Sequence, residues 1–317
     1  MGMKKVFNPA IFQGEWKTKN YYEEWFFKLS DASEENTFIF IPGVSLGKKA
    51  DDFHTYVQII DVNAQQQYFL KYTIKDSIYS SESFNIKIGE NIFSEHGLTL
   101  KNDVVKGRIN FRTISKWPAS PIGRHTMGLF DFFPFLPTRY AIYSMNLSLA
   151  GSITINGRTI DFSNGKGYIE KSWGKRFPTT LVWSQCSHFD RPNTSFSLSL
   201  SKTPFFFSGF KMFSCCFFFE GRHYSFNSRN GAKIIKFEPK GNFIEASFSK
   251  NHILFEITIE KNDAGLIPAA EEKQTGRLTH IGMKSKVYVK LYKNSKLLFS
   301  GQGTNCAVEI EGDVTKL

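Results

Sequence analysis

One stretch of the sequence decides the fold class: HILFEITIE, residues 252–260. Bulky apolar residues occupy every second position: Ile253, Phe255, Ile257 and Ile259. The intervening positions carry a leucine, a threonine and two glutamates. Successive side chains of a β-strand face opposite sides, so this period of two predicts a strand with one buried face. The same alternation recurs along almost the whole chain, and helical periodicity is nearly absent. The sequence therefore predicts an all-β protein.

Short turn signals separate the predicted strands. Asn156-Gly157 is the clearest signal, because both residues tolerate the positive φ angles of a two-residue hairpin turn. Further turn signals lie at residues 221, 240–242, 250–251 and 293–294. This spacing gives about ten candidate strands before residue 172 and about nine after it, which is typical of antiparallel β-architecture. A single barrel of that many strands would be unusual. The sequence therefore predicts two tandem antiparallel barrels, residues 1–172 and 173–317, each able to enclose one small ligand.

Aromatic residues are unusually frequent: 33 Phe, 12 Tyr and 5 Trp make up 16% of the 317 residues. Aromatic side chains favour strands and line apolar pockets, so their abundance indicates β-structure around an apolar cavity. The chain is 41% hydrophobic and 22% charged, which is a globular composition. No apolar run approaches the length of a membrane-spanning helix, so a spanning protein is not expected.

The chain carries a net charge of +11, from 40 basic and 29 acidic residues, and its pI is about 9.3. The lysines and arginines are scattered, and neither a basic tract nor a nucleic-acid-binding motif occurs, so no nucleic-acid partner is expected. An anionic membrane surface is one interpretation of the positive charge. An ordinary solvated surface is the other.

Cysteine and histidine spacing gives no sign of a metal site. The four cysteines lack zinc-binding spacing, and no two histidines have metal-ligand spacing, so neither a metal nor a cofactor is expected. The adjacent Cys215 and Cys216 would face opposite sides of a strand and could not easily pair. Free buried thiols, together with the lack of an apolar signal core near the start of the chain, predict a cytoplasmic protein.

The densest motif combines two stretches: NGKGYIEKSWGKRFP, residues 164–178, and WSQCSHF, residues 183–189. A period of two places Tyr168, Glu170 and Ser172 on one face of the first predicted strand. On the second strand it places Trp183, Gln185 and Ser187 on one face. The glycines do not fit a phosphate-binding loop, because no GxxxxGK[ST] pattern is present and no helix is predicted to follow.

Glu170 is the candidate general acid of this motif. Burial among aromatic residues would raise the pKa of its carboxyl group, which prepares such a group to donate a proton. A structural ion pair of Glu170 with Lys171 or Arg176 at a domain junction is the alternative. His188 could help Glu170 to move a proton, and it could equally be a surface or core histidine.

Residues 165–189 resemble the signature block of the tocopherol cyclase family, which is related to carotenoid 1,2-hydratase and AttH lipocalin-like proteins. The stretch YYEEWFFK, residues 21–28, is similar to an N-terminal block that usually reads aromatic-aromatic-Glu-Gly-Trp-Tyr-aromatic-Lys. Three further blocks also match, at residues 40–45, at 127–128 with 134–135, and at 308–309 with 312–313. The resemblance extends over most of the chain. It implies two consecutive lipocalin-like barrels that act on a prenylated or isoprenoid substrate.

This chain departs from the family pattern at several polar positions. Where the family usually carries a Glu and two His after residues 134–135, this chain has Pro137, Tyr140 and Leu147. Ser172 stands where the family has an Asp, and Ser187 stands where it has an Asn. The loss of these polar groups, with the Gly and Trp framework kept, predicts a retained fold with altered or absent chemistry.

The resemblance implies an acid-catalysed cyclisation, the reaction of an intramolecular lyase. An acid protonates a trisubstituted alkene, and an internal phenol oxygen captures the resulting tertiary cation to close a chroman ring. In this scheme Glu170 is the acid, and Gln185 and His188 orient the reacting groups. The expected ligand-binding residues are Trp25, Tyr140, Tyr168, Trp173 and Trp183. The alternative is a non-catalytic carrier of a hydrophobic or amphipathic lipid, which needs only an apolar lumen and a portal.

One aromatic loop is a candidate membrane contact: MGLFDFFPFL, residues 127–136, with four Phe and two Leu. We expect it either to close a barrel end or to dip into an anionic lipid surface as the portal for an isoprenoid tail. In the second case the protein is peripheral to the membrane. A second aromatic cluster, PFFFSGF at residues 204–210, also needs to be covered. His125 and Asp131 could reach a ligand or lie in solvent.

Overall fold

The computed structural model describes residues 8–117, 136–203, 210–228, 230–262, 266–267 and 281–317. The chain forms two compact units, Met1–Arg176 and Phe177–Leu317, here called unit 1 and unit 2. The boundary expected from the sequence, between residues 172 and 173, falls inside a strand that continues to Gly174. Unit 1 keeps the whole of that strand.

Unit 1 is a 12-stranded antiparallel sheet that curls into a nearly closed barrel. Its strands are β1 (Tyr21–Ser30), β2 (Thr37–Leu46), β3 (His54–Asp61), β4 (Gln66–Tyr72), β5 (Ser77–Tyr79), β6 (Asn85–Ile88), β7 (Asn91–Ser94), β8 (Gly97–Lys101), β9 (Val105–Lys116), β10 (Thr138–Ile155), β11 (Arg158–Asp161) and β12 (Lys166–Gly174). Their order in the sheet is β4-β3-β2-β1-β12-β10-β9-β8-β7-β6-β5, with β11 paired to β10. Short 3₁₀ turns lie at Ala50–Asp52 and Ile74–Asp76.

Unit 2 is an 11-stranded antiparallel sheet, also curled into a nearly closed barrel. Its strands are β13 (Thr180–Cys186), β14 (His188–Phe189), β15 (Ser195–Thr203), β16 (Phe210–Phe219), β17 (Arg222–Asn227), β18 (Lys233–Lys240), β19 (Phe243–Lys250), β20 (Ile253–Glu260), β21 (Leu266–Ile267), β22 (Ile281–Lys293) and β23 (Lys296–Glu311). The main order is β17-β16-β15-β13-β23-β22-β20-β19-β18, with β14 paired to β23 and β21 to β22. A 3₁₀ turn at Val314–Lys316 follows β23.

Two-residue turns join several neighbouring strands. Asn156 and Gly157 have φ angles of 49° and 76° between β10 and β11, so the hairpin predicted at these residues is confirmed. The same backbone geometry recurs between β19 and β20, where Asn251 and His252 have φ angles of 46° and 63°. Positive φ at both central positions gives a turn whose twist matches that of the flanking strands.

Alternation along the strands fills both barrel cores. In β20, Phe255, Ile257 and Ile259 are buried in the core of unit 2, which confirms the strand predicted from residues 252–260. In β1, Trp25 and Phe27 are buried in the core of unit 1. Each fully buried side chain of this size stabilises the fold by about 1.5–3 kcal/mol. The prediction of an all-β protein with two antiparallel barrels is confirmed.

Some sequence-based predictions concern residues outside the described ranges. Of the aromatic loop at 127–136 only Leu136 is described, and His125, Asp131 and residues 204–209 are not. The membrane-portal hypothesis therefore stays a prediction. Within the described ranges, no helix combines the length and the apolar content that are needed to cross a bilayer.

Candidate active site

A row of aligned residues crosses five neighbouring strands of unit 1. In the registers of β3, β2, β1, β12 and β10, successive cross-strand partners are Tyr56, Gly43, Glu24, Ser172 and Tyr140. Directly paired residues of an antiparallel sheet lie on the same face. The row therefore gathers its polar side chains on one face, and the other face of these strands packs into the core of unit 1.

Glu170 lies on this same face, two residues before Ser172 in β12. Its Oε2 accepts a hydrogen bond from the Tyr140 hydroxyl at 2.5 Å and another from the Tyr168 hydroxyl at 2.6 Å. The two phenol oxygens are 3.1 Å apart. Tyr168 reaches Glu170 along β12, and Tyr140 reaches it from β10. The structure thus brings together three residues singled out in the sequence, Glu170, Tyr140 and Tyr168, here called the acid cluster.

The hydrogen bonds of the acid cluster are shielded from water. Tyr168 is fully buried, and Glu170 and Tyr140 are half-buried, so water competes weakly for their hydrogen bonds. Hydrogen bonds to an ionised carboxylate are stronger than those between neutral groups. Two phenol hydroxyls are therefore in place to solvate a carboxylate at Glu170, and this solvation needs no rearrangement of the site.

A second carboxylate, Glu24, lies on the same face of β1. Its Oε1 accepts a hydrogen bond from Ser172 Oγ over 3.1 Å, and its Oε2 accepts one from the Tyr56 hydroxyl over 3.0 Å. Burial, reinforced by the Glu24 charge and hydrogen bond, raises the pKa of Tyr56 well above its usual value, so Tyr56 remains a donor. Gly43 makes room for Tyr56, because a Cβ at that position would collide with the Tyr56 ring.

Sequence reasoning missed Glu24 and Tyr56. A signal for Glu24 was present, since it stands where the N-terminal block usually has Gly, and its partner Ser172 stands where the signature block has Asp. The two positions are 148 residues apart in the chain. Only the pairing of β1 with β12 shows that they are neighbours. The site therefore has a carboxylate beside position 172, although this chain has Ser172 where the family has an Asp.

The remaining departures from the family pattern have different structural consequences. Tyr140 belongs to the acid cluster. Leu147 is buried in the core of unit 1, where an imidazole would need a hydrogen-bond partner. The carbonyl oxygen of Pro137 accepts hydrogen bonds from the backbone N–H groups of Lys175 and Arg176, at 2.7 and 3.2 Å. Of these three positions, the geometry links Tyr140 to Glu170 and makes Leu147 and Pro137 parts of the scaffold.

Trp25 and Trp173 lie on the opposite face of β1 and β12, around Lys171. The Lys171 ammonium is 4.5 Å from the centroid of the Trp25 ring and 4.9 Å from that of Trp173. It forms an ion pair with Glu23 at 2.5 Å and donates to two backbone carbonyls of the N-terminal segment, each at 2.6 Å. Because adjacent residues of a strand face opposite sides, Lys171 meets Glu23 and does not share the face of Glu170.

Three residues expected in the site lie in unit 2. Trp183 and Gln185 are buried on the face of β13 that points away from its core side chains. Gln185 Nε2 donates a hydrogen bond to Ser187 Oγ over 2.7 Å. His188 is buried on β14, which pairs with β23. The structure brings Gln185 together with Ser187, and the predicted action of Gln185 and His188 on the acid cluster of unit 1 stays a prediction.

Hydroxyl groups are concentrated on the face of unit 2 that carries Trp183 and Gln185. Every second residue of β15 from 195 to 201 is a serine, and all four lie on this face: Ser195, Ser197, Ser199 and Ser201. Ser195 Oγ and Ser214 Oγ are buried without a hydrogen-bond partner among the described residues. Such groups are open to a polar ligand. In the described part of the chain, no three His, Cys, Asp or Glu side chains are grouped in a way that could hold a metal ion.

The chain belongs to the tocopherol cyclase-like family, whose profile matches residues 96–312. One relative is the protein described as "Probable tocopherol cyclase, chloroplastic" from Oryza sativa subsp. japonica. It is 21% identical, over 89% of this chain and 76% of the rice protein. The family resemblance predicted from the sequence is confirmed.

Solved structures of low sequence identity have a similar fold. The crystal structure of CghA with Sch210972 has a TM-score of 0.61 at 9% identity, over 92% of this chain and 88% of CghA. The structure of kievitone hydratase from Nectria haematococca has a TM-score of 0.50 at 11% identity, over 97% of this chain and 94% of the hydratase. At such identities the likeness concerns the fold. The predicted pair of lipocalin-like barrels is confirmed.

Proposed function

We propose that this protein catalyses the acid-initiated cyclisation of a prenylated phenol, with Glu170 as the proton donor. Membership of the tocopherol cyclase-like family supports the class of reaction. The observation that carries the proposal is the acid cluster, in which one carboxyl oxygen lies 2.5 and 2.6 Å from two phenol hydroxyls. The proposed substrate class is an isoprenoid chain attached to a phenol, because one molecule then supplies both the alkene and the oxygen nucleophile.

In the first proposed step, the carboxyl group of Glu170 donates its proton to the less substituted carbon of a trisubstituted alkene. A C–H bond forms, and a tertiary carbocation and a carboxylate remain. The Tyr140 and Tyr168 hydroxyls solvate the carboxylate. In the second step, the phenol oxygen of the substrate attacks the cation, a C–O bond forms, and the phenolic proton leaves. The product is an isomer of the substrate, so no other reactant is consumed.

Glu24 is the proposed base and electrostatic partner of the second step. It lies diagonally across the sheet from Glu170, because it pairs with Ser172 and Glu170 is two residues away on the same strand. Diagonal neighbours of this kind are roughly 7–8 Å apart. A fixed carboxylate at that position stabilises the developing cation and can accept the phenolic proton. Exchange with solvent then restores the protonation of both carboxyl groups.

A non-catalytic carrier of a hydrophobic or amphipathic lipid is the second candidate function. The departures at Pro137, Tyr140 and Leu147 favour it, since they replace three side chains that are acidic or imidazole groups in the family pattern. A carrier needs an apolar lumen and a few polar anchors.

The test is incubation of the purified full chain with a prenylated hydroquinone in D₂O. Cyclisation predicts a product with chroman absorption that carries one carbon-bound deuterium from the protonation step. We expect Glu170→Gln to lower kcat/KM by about 10²–10⁴-fold. The matched control is Glu82→Gln, which removes an exposed carboxylate of unit 1 and should leave turnover unchanged.

Three outcomes would change the proposal. Unchanged turnover in Glu170→Gln would remove Glu170 from the mechanism. A product heavier by one water would mean that water, and not the phenol, captures the cation. No product at all, together with a co-purified lipid in native mass spectrometry, would support the carrier function.

A further inference from the structure

A second row of aligned residues crosses unit 1 beside the row that contains Glu24. In this second row, Glu170 is the cross-strand partner of Phe26 on β1 and of Ile142 on β10. The register of β1 against β2 runs past Phe26 without a shift, which places Ile41 beside it on β2. The two rows are here called the Glu24 row and the Glu170 row. Glu170 therefore lies between two apolar side chains, whereas tyrosines, a serine and a carboxylate make up most of the Glu24 row.

Part of this face is accessible, namely a block of two paired residues from each row. Glu24 and Ser172 are half-buried, and so are Phe26 and Glu170, the next pair along the same two strands. Ile41 and Tyr140 beside the block are also half-buried. Other residues that border the block on the same face are buried: Tyr22, Lys28, Tyr56, Ile142 and Tyr168. A ligand that reaches Glu170 on this face therefore also meets Phe26 and Glu24.

We propose that the isoprene unit that Glu170 protonates lies over Phe26, with the phenol over the Glu24 row and the remaining chain over Ile41. This placement rests on the proposed function. The Cβ atoms of paired residues lie about 4.5–5.5 Å apart, so Phe26 is the immediate neighbour of Glu170. Glu24 is two positions from Phe26 on β1, about 6.6 Å along the strand. An alkene that takes a proton from Glu170 and is attacked by an oxygen near Glu24 lies between the two carboxylates, over Phe26.

Phe26 gives this position a surface that suits a carbocation. An aromatic ring attracts a cation that lies over its face within about 6 Å of the ring centroid. The phenyl ring has no lone pair with which to capture the cation. It therefore stabilises the charge that develops in the protonation step and has a much weaker effect on the neutral substrate.

The path of the remaining isoprenoid chain follows from the burial along the Glu170 row. Ile142, on the β10 side of Glu170, is buried, whereas Ile41, on the β2 side of Phe26, is half-buried. Neighbouring strands are about 4.8 Å apart, so the path from Glu170 to Ile41 spans roughly 10 Å. Beyond Ile41 the row becomes polar at Gln58 of β3. The chain segment next to the reacting unit accordingly packs against Ile41.

The role of Phe26 is tested by turnover and by the binding of a cation mimic. Phe26→Leu removes the ring and keeps an apolar side chain, so kcat for a prenylated hydroquinone should fall by about 2–30-fold with KM nearly unchanged. A hydroquinone analogue with a protonated tertiary amine in place of the cationic carbon should lose affinity by a similar factor. Its neutral analogue with a saturated chain should bind as it does to the wild type. Phe26→Tyr should retain both properties, and the control Phe243→Leu, which changes an exposed ring of unit 2, should alter neither.

The role of Ile41 is tested by the length of the chain. Calorimetric titration compares hydroquinones that carry one or two isoprene units, with the alkenes reduced so that no reaction occurs. Ile41→Ala should weaken binding of the two-unit analogue by about 3–10-fold, because less apolar surface is covered, and should leave the one-unit analogue unchanged. The control Ile78→Ala removes an exposed isoleucine of unit 1 and should bind both analogues as the wild type does.

Failure of this placement and failure of the proposed function give different results. If the wild type forms a chroman, and folded Phe26→Leu and Ile41→Ala variants match it in turnover and in every affinity, the placement is wrong and the proposed function stands. If the wild type forms no chroman but the analogues bind with the expected losses in the variants, the cyclisation is wrong and the placement of the ligand stands. Absence of both product and analogue binding would overturn both.

Discussion

Glu24 and Ser172 are cross-strand partners on one face of unit 1, and the Ser172 hydroxyl donates a hydrogen bond to the Glu24 carboxylate over 3.1 Å. The pair places a carboxylate of β1 beside β12, next to the acid cluster. The site consequently holds two carboxylates: Glu24 accepts a hydrogen bond from one tyrosine hydroxyl, and Glu170 accepts hydrogen bonds from two others. Two carboxylates with separate partners can act as acid and base in one reaction.

Moving the carboxylate from Glu24 to position 172, where the family has an Asp, should preserve cyclisation. We expect Glu24→Gly to lower kcat/KM by about 10²-fold, because it removes the proposed base. Glu24→Gly/Ser172→Asp should recover activity to within about tenfold of the wild type, since the carboxylate returns on the paired residue of the same face. Steady-state kinetics with a prenylated hydroquinone measure both. A double variant no more active than Glu24→Gly would show that the two positions are not equivalent.

Removal of one phenol donor from the acid cluster should slow the chemical step. Tyr140→Phe deletes one of the two hydrogen bonds that stabilise the Glu170 carboxylate, so kcat should fall by about 10–100-fold with KM nearly unchanged. Tyr68→Phe is a suitable control, because the Tyr68 hydroxyl bonds to Gln66 at an exposed position of unit 1. A rise in KM at constant kcat would instead indicate that Tyr140 binds the substrate.

The substitution Gly43→Ala, which adds one methyl group, should destabilise unit 1. The new Cβ would collide with the ring of Tyr56, and overpacking of this kind costs about 1–3 kcal/mol. Urea unfolding followed by circular dichroism measures the change in the free energy of unfolding. In a Tyr56→Ala background the same substitution should cost much less, because the ring is gone. An equal cost in both backgrounds would disprove the contact.

The buried ion pair of Lys171 and Glu23 should be essential to the stability of unit 1. Lys171→Met leaves the Glu23 carboxylate buried without its cation, which costs about 3–5 kcal/mol, and Lys171→Met/Glu23→Gln should recover part of this loss. The exposed pair of Lys101 and Glu90 provides the control, because Lys101→Met should leave the urea midpoint unchanged. A stability loss in Lys101→Met as large as that in Lys171→Met would contradict the role of burial.

Cys215 and Cys216 should resist thiol reagents in the folded protein. Burial raises the pKa of both thiols, so they stay protonated as the pH rises through the usual titration range of cysteine. The thiolate is the reactive form, and all four cysteines are buried thiols that form no disulfide. An aromatic disulfide reagent at about pH 8 should therefore react slowly with the native protein and with four thiols after denaturation. Rapid reaction of the native protein would be inconsistent with this burial.

The strand pattern and part of the acid cluster could be predicted from local sequence. Tyr168, Glu170 and Ser172 share one face because they alternate along a single strand, and this alternation is a property of the backbone. Tyr140 was singled out from a family position, and its contact with Glu170 was not predictable from spacing. The pairing of β10 with β12 contains register shifts between Ile142 and Leu147, so counting from the far end of the two strands does not place Tyr140 opposite Ser172.

Local sequence determines the all-β class, the hairpin turn at Asn156 and Gly157 and the family, because backbone geometry converts the residue period and the turn residues directly into structure. The pairing of Glu24 with Ser172 cannot be derived from local sequence. It depends on the register of β1 against β12, and a slip of one residue would turn every core side chain of β1 toward the other face. The burial of the apolar side chains of unit 1 selects that register, and the two carboxylates become neighbours as a result.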